Sequence, residues 1–262
     1  MASEQVNVGL TSLSGWHAMQ LLHLFAKRPE FGITEMARSL AISKTAVQRL
    51  VNALIKFDFL EQDPSTRRYR IGVGALYVGS LYLKGRSLEN EARPFMRDTV
   101  RDLGHTCQLA VLHDSAMIIT VSIEGPGPIK YSVPVGHRLP VHASATGKAV
   151  LSTREDAEVE ALLASFGMLQ RTAKTLRTPS AMKDILRQAR TRGYATNWEE
   201  NQMGIGSIAA PIVDAHLLSA VGIAFPVSAV RKADISALGA RVAECAHTIS
   251  RRLTVLSKPS AA

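Results

Sequence analysis

Apolar residues recur at helical spacing in three successive runs near the start of the chain. From Trp16 to Lys27 the residues Met19, Leu21, Leu22, Leu24, Phe25 and Ala26 trace a first helix, which Pro29 ends. A second, short helix is expected after Thr34, read as its N-cap, with Met36, Ala37 and Leu40 on one face. After the turn Ala41-Ile42-Ser43 a third helix begins with Ser43 as its cap and runs to about Phe57. Val47, Leu50, Val51, Leu54 and Ile55 fall at i, i+3, i+4, i+7 and i+8 along it and face a core. A tight turn between the second and third helices predicts a helix-turn-helix. The period then shortens: Phe59–Gln62 and Arg68–Ile71 read as strands around Asp63-Pro64-Ser65, whose turn chemistry predicts a hairpin wing.

Gly72 and Gly74 punctuate the chain before Ala75–Leu83, a helix apolar almost all round. Such a surface is expected to pack against another subunit or its own domains. The boundaries follow: a winged helix-turn-helix over residues 12–73, a linker helix over 74–86 and a larger domain over 87–257. The larger domain opens on an amphipathic helix whose face Leu88, Ala92, Phe95, Met96, Thr99, Val100 and Leu103 share, with Gly104 as its stop. Strand patterns follow at Cys107–His113, Met117–Glu124, Ile129–Val135, Tyr194–Trp198, Ile208–Val213 and Ser219–Phe225. Helical patterns lie at Ala145–Thr153, Ala157–Phe166, Ser180–Arg192 and Asp234–Leu256. Mixed strands and helices around an antiparallel sheet give an α+β class for this domain.

Charge changes the picture in one place. The chain carries 31 Lys and Arg against 22 Asp and Glu, a formal charge of +9. A polyanion is therefore a plausible partner, but its location decides the matter. On the third helix the side opposite the core holds Lys44, Thr45, Gln48, Arg49, Asn52 and Lys56, and no acid occurs between Glu35 and Asp58. A solvated face normally mixes signs, so this one points to nucleic acid. Ser43, Lys44, Thr45, Gln48 and Arg49, at the leading end of a recognition helix, are placed to meet base edges and phosphates, and Arg67 and Arg68 of the wing to meet the backbone or minor groove. Two cysteines, Cys107 and Cys245, sit in apolar stretches and read as buried thiols of a reducing, cytoplasmic compartment. No apolar run has the length of a membrane span, so no membrane partner is expected.

In the larger domain Ser144 precedes the helix Ala-Thr-Gly-Lys-Ala-Val and should cap it, leaving the amides of Ala145, Thr146 and Gly147 to attract a carboxylate. The competing reading of this run of small residues is a close helix–sheet contact. His142 beside Ser144 suggests a nucleophile and base, but no G-x-S-x-G elbow exists, so a structural histidine bonded to backbone is expected and no catalytic residue is named. His105, Cys107 and His113 lack the spacing of a metal site, and neither metal nor cofactor is expected.

Three stretches together resemble the IclR family of bacterial transcriptional regulators: ITEMARSLAISKTAVQRLVNALIKFDFLEQD followed by YRIGVGALYVG, VGHRLPVHASATGKAVLS, and RGYATNWEENQMGIGSIAAPIVDAHLLSAVGIAFP. They stand in family order and span roughly residues 14 to 255. The resemblance implies a GAF-like effector domain behind the winged helix, dimers able to pair into tetramers, and control of a catabolic operon as repressor or activator. It also implies that Asn197, Ile205 and Ser207, with Gly222 and Ala224, face the pocket of Ala145 and Thr146, with Leu139 in its apolar wall. Asp58 stands where the family usually has Gly, and Asn197 where some relatives carry an acid. The expected partners are double-stranded palindromic operator DNA, a small organic acid effector, and a second copy of the chain in a homodimer or dimer of dimers. An enzyme and a constitutive architectural DNA binder are the competing readings.

Overall fold

A computed structural model describes residues 12–83, 87–127, 131, 133–213 and 217–256. The chain divides into two compact units, Met1–Arg86 and Ser87–Ala262.

The first unit runs α1 (Leu13–Leu24), α2 (Ile33–Leu40), α3 (Lys44–Lys56), β1 (Leu60–Gln62), β2 (Tyr69–Ile71) and α4 (Val73–Leu83). Leu21, Leu24, Phe31, Met36, Val47, Val51, Leu60 and Tyr69 form its core, with Leu50, Leu54 and Ile55 packed against it. The expected inner face of α3 is thus the observed one. Trp16 and Met19 of α1 stay exposed, because that helix is apolar on more sides than the core can cover. Ser43 caps α3 by accepting a hydrogen bond from the Ala46 amide at 3.1 Å. The N-cap of α2 is Gly32 rather than Thr34: Glu35, at the third helical position, reaches back to the Gly32 amide at 2.8 Å and supplies the capping charge. A bridge between Phe31 and Tyr69 ties the α1–α2 connection to β2.

Tight chain approach sets the exit from the wing. Asp58 has φ 58°, the left-handed conformation that ends α3, and a short acid tolerates it where a glycine would be natural. A Cβ on Gly72 or Gly74 would lie 2.2 Å from the Asp58 carbonyl oxygen or 2.3 Å from that of Phe57, so only glycine fits both positions.

The second unit contains α5 (Ser87–Leu103), β3 (Thr106–His113), β4 (Ala116–Ile123), β5 (Arg138–Pro140), α6 (Ala145–Leu151), α7 (Asp156–Phe166), α8 (Pro179–Arg192), β6 (Ala195–Trp198), β7 (Ile205–Ile212), β8 (Ser219–Pro226) and α9 (Ile235–Leu256). The strands form one sheet of order β5-β4-β3-β8-β7-β6, antiparallel at each pairing. Alternation along the strands divides the interior in two. Cys107, Leu109 and Val111 of β3 join Met96 and Val100 of α5 and Val242, Ala246 and Ile249 of α9 on one face. Ala110, Met117, Ile119, Ala195, Ala209 and Ala220 meet Leu151 of α6, Val159 and Leu163 of α7 and Met182 and Leu186 of α8 on the other.

Two strands depart from expectation. Of the predicted strand Ile129–Val135, residues 129, 130 and 132 lie outside the described set, and Tyr131 and Val133–Val135 are not strand. Pro134 withholds an amide there and Gly136 turns the chain at φ 86°, so pairing with β4 is made instead by Arg138–Pro140. β7 starts at Ile205, three residues before the expected start at Ile208. Pro211 is tolerated within it because β6 ends at the Ala195–Ala209 pair, leaving β7 a neighbour on one side alone at that point. Cys107 and Cys245 are buried free thiols, and burial raises the pKa of both. Among the described residues no helix is long and apolar enough to cross a membrane.

Candidate nucleic-acid interface and ligand pocket

On the first unit, charge is sorted by whether it has a partner. Arg28 and Arg68 both pair with Glu35, and Arg70 pairs with Glu61 across the hairpin. Lys44, Arg49, Lys56 and Arg67 join no ion pair among the described residues. Lys44, Thr45, Gln48 and Arg49 are exposed along the outer side of α3, and the Gln48 amide donates to Asn52 at 3.0 Å, which holds the two side chains in one orientation. Ser43 is exposed as well, but its oxygen is engaged as the helix cap.

The wing is rigidly built. The Asp63 carboxylate accepts from the Ser65 hydroxyl at 2.6 Å and from the Ser65 and Thr66 amides at 2.8 Å each. These bonds favour the ionised form and hold the Asp63 pKa at about 2. Arg67 follows at φ 59° with an exposed side chain. Arg68 does not lie free at the tip beside it. Its guanidinium meets Glu35 at 2.5 Å and Glu30 at 3.7 Å, clamping β2 to the start of α2. The acids that hold Arg68 are distant in sequence, so the run of arginines alone does not show that it is paired.

On the second unit a small cavity of about 30 Å³ opens between α6 and the sheet. Leu139, Ala145, Thr146, Asn197, Ile205, Ser207, Gly222 and Ala224 all line it. Strand register explains how they meet: Asn197 pairs with Ser207, and Ser207 with Ala224, so three of them form one row across β6, β7 and β8. The next row on the same face is Ala195, Ala209, Gly222 and Gln108, small residues ending in one amide. Gly222 admits no side chain, since a Cβ would stand 2.4 Å from the Ile208 carbonyl oxygen.

Ser144 caps α6, its oxygen accepting from the Gly147 amide at 3.1 Å. Of the three amides expected to be free, Gly147's is therefore taken, and those of Ala145 and Thr146 remain. The close-contact reading holds at the same place: a Cβ on Gly147 would lie 2.1 Å from the Val141 carbonyl oxygen, so α6 approaches the preceding segment as nearly as glycine permits. His142 bonds the Leu169 carbonyl through Nε2 at 3.0 Å, a structural role.

Four polar lining residues escape the sequence reading, Gln108, Tyr131, Asn201 and Gln202, and so do the apolar Ile208, Ala209 and Ile223. So does the support beneath them. Lys148 of α6 is 1% exposed and bonds Glu200 at 2.5 Å. Burial pulls the Lys148 pKa down, while Glu200 beside it pushes the other way. The Glu200 carbonyl also accepts from the Thr175 hydroxyl at 2.6 Å, and its amide donates to the Asn197 side-chain oxygen at 2.9 Å. The Gly-Lys of α6 and the Glu-Glu after β6 are the available signal, but nothing local in either says that they touch.

Comparison with known proteins agrees with this geometry. A model of the IclR helix-turn-helix domain matches residues 17–64, and one of the bacterial transcriptional regulator IclR C-terminal domain matches residues 80–251. The acetate operon repressor of Salmonella typhimurium is 32% identical over 222 residues, covering 83% of this chain and 81% of that protein. The crystal structure of an IclR transcriptional regulator from Alicyclobacillus acidocaldarius superposes with TM-score 0.81 at 24% identity, covering 93% of this chain and 99% of the other. An IclR homologue from Microbacterium hydrocarbonoxydans, solved in complex with 4-hydroxybenzoate, superposes with TM-score 0.77 at 21% identity over 92% of this chain and 99% of its own. The two domain matches cover most of the chain, and with them the exposed cationic helix and the enclosed pocket have one explanation: this protein belongs to the IclR family of transcriptional regulators, non-enzymatic proteins that join a DNA-binding helix-turn-helix to an effector-binding domain.

Proposed function

We propose that the chain binds a palindromic operator as a homodimer or dimer of dimers, and that a small organic acid in the pocket of the second unit changes its affinity for that operator. The observation that carries the DNA half is the sorting of charge on the first unit. Glutamates neutralise Arg28, Arg68 and Arg70, while Lys44, Arg49 and Arg67 stay unpaired beside Thr45 and Gln48. In this reading Lys44, Thr45, Gln48 and Arg49 enter the major groove, Ser43 presents the helix start to a phosphate, and Arg67 follows the backbone from the wing. Arg68 acts at one remove, by fixing the wing that carries Arg67.

The pocket supports an acid effector. Among the described residues the amides of Ala145 and Thr146 have no acceptor, and Leu139, Ile205 and Ala224 supply apolar wall. The binding of a hydroxy-aromatic acid by one fold relative is in keeping with this choice. Among the described residues no lysine or arginine lines the pocket, so affinity is expected to be modest. The exposed side chains of Leu76, Tyr77, Val78, Leu81 and Tyr82 on α4 are the proposed seat of a second copy, and a palindrome with half-sites one helical turn or a multiple apart matches a two-fold dimer. Buried, high-pKa thiols and a DNA target suit the cytoplasm.

Footprinting on the DNA next to the gene, with acids added one at a time, tests the whole reading. A protected palindrome whose protection responds to an acid is the expected result. Protection that Arg49→Ala leaves unchanged removes the helix from the interface, and a response that survives Thr146→Trp removes the pocket from the mechanism.

A further inference from the structure

The pocket holds more polar groups than the fold uses. Gln108 lies in the middle of the apolar β3, 5% exposed, on the face that looks into the cavity. Its side-chain nitrogen is shut off from solvent and has no hydrogen-bond partner among the described residues. The side-chain oxygen of Asn201, on the segment after β6, is likewise enclosed in the cavity wall and unpartnered among the described residues. Asn197 is 5% exposed, and its oxygen is committed to the Glu200 amide, which leaves only its NH₂ for anything else. A buried donor or acceptor without a partner is costly, and folded proteins seldom leave one so.

Building on the proposed effector pocket, we infer that Gln108 and Asn201 set its specificity: the effector turns an acceptor, the carboxylate or a carbonyl, to the amide NH₂ groups of Gln108 and Asn197, and carries a hydroxyl or amine that donates to Asn201. The two requirements come from different elements. Gln108 is placed by the β3–β8 register opposite Gly222, and its side chain lines the cavity with Asn197 and Asn201. Asn201 rides on the segment that Lys148, Thr172 and Thr175 pin through Glu200, so its oxygen is held in place before any ligand arrives. An acid with no donor group leaves the Asn201 oxygen buried and unsatisfied in the complex. A hydroxy or amino acid satisfies both ends. Sites built to hydrogen-bond a ligand hydroxyl discriminate far more strongly against its absence than apolar pockets discriminate by size.

Matched acids read this directly. Propanoate, lactate and 2-methoxypropanoate, and benzoate, 4-hydroxybenzoate and 4-methoxybenzoate, are titrated into the full-length protein by calorimetry. In at least one series the hydroxy acid is expected to bind about ten- to a hundredfold more tightly than both its deoxy and its methoxy counterpart, the range for one unsatisfied buried group. Asn201→Leu should erase that preference while the deoxy acid binds as before. Gln108→Leu should weaken every acid, and Gln108→Glu should weaken them further, because it turns a donor into a carboxylate. Operator binding by the ligand-free variants reports that each has folded. Equal binding of hydroxy, deoxy and methoxy acids by the wild type, or a preference that persists in Asn201→Leu, overturns the assignment and leaves the pocket reading standing. A panel in which no acid binds overturns both.

Discussion

Removing the positive half of the Lys148–Glu200 pair should be among the most damaging single changes in the second unit. Lys148→Met keeps the volume of the stem but strips the charge from a site that is 1% exposed, and leaves the 14% exposed Glu200 facing it without its 2.5 Å partner. The other Glu200 oxygen is already buried without a hydrogen bond, so the carboxylate has nowhere to turn. Breaking such a pair costs about 3–5 kcal/mol, and at about 2–4 °C per kcal/mol for a unit of this size the unfolding midpoint should fall by about 10 °C. Glu200→Leu strands the ammonium instead, which can escape by losing its proton. Burial already holds the Lys148 pKa below its ordinary 10.5, and without Glu200 it drops further. Between that lowered value and 10.5 the unfolded chain binds the extra proton, so the stability of Glu200→Leu must rise as pH rises. Lys148→Met has no such lysine to titrate and should show no rise of that origin. The double variant removes both charges and should recover most of the loss. Thermal unfolding of the four full-length proteins at pH 7 and pH 9 measures this. A Lys148→Met midpoint within about 1 °C of wild type, or a double variant below both singles, would refute the claim that the pair is a desolvated charge couple.

Three further outcomes follow from the same geometry. Gln48→Ala and Arg49→Ala should each weaken operator binding by about 1–3 kcal/mol and relax sequence preference, while Arg67→Ala should weaken all DNA alike and lower the salt slope by about one; gel-shift titrations over a salt series separate the two patterns. The wing turn should loosen in acid: with an Asp63 pKa of about 2 against an ordinary 3.8, its contribution is complete above pH 4 and is lost between pH 4 and 2, a loss that NMR shifts of Ser65 and Thr66 would follow and that Asp63→Asn would abolish. Leu76→Glu on α4 should lower the association constant in sedimentation, since it places a carboxylate in the proposed contact.

What could be read along the chain was whatever short-range physics decides. The inner face of α3 and its Ser43 cap need only periodicity and a hydroxyl three residues from an amide, and both are found as expected. The N-cap of α2 was misplaced at Thr34 because the group that does the capping, Glu35, is held in position by Arg28 and by Arg68, an arginine of the wing. The same long-range pair removes Arg68 from the free cations of the wing. β5 is a three-residue strand that exists because β4 offers it an edge, and no pattern within Arg138–Pro140 announces it.

The pocket shows the same division more sharply. A serine before a run of small residues is enough to expect donor amides at Ala145 and Thr146, while the arrival of Asn197, Ser207 and Ala224 in one row depended on a family resemblance and, physically, on the register of three strands. Gln108 illustrates why polar pocket residues hide in a sequence. In the stretch Cys-Gln-Leu-Ala-Val-Leu it reads as one interruption of an apolar strand, equally compatible with an edge facing water. Only the pairing of β3 with strands on both sides makes it buried, and only the packing of other elements on that face leaves it a cavity to line. A buried amide in a central strand that lines a cavity without a partner therefore marks a binding floor, because the strand shuts it off from water and the cavity holds whatever satisfies it. By that argument Gln108→Leu should stabilise the ligand-free protein while weakening effector binding, a reversal that a residue kept only for packing would not produce. Unfolding midpoints with and without a bound acid decide it: a Gln108→Leu protein less stable than wild type in the absence of ligand would mean that the amide serves the fold and not the effector.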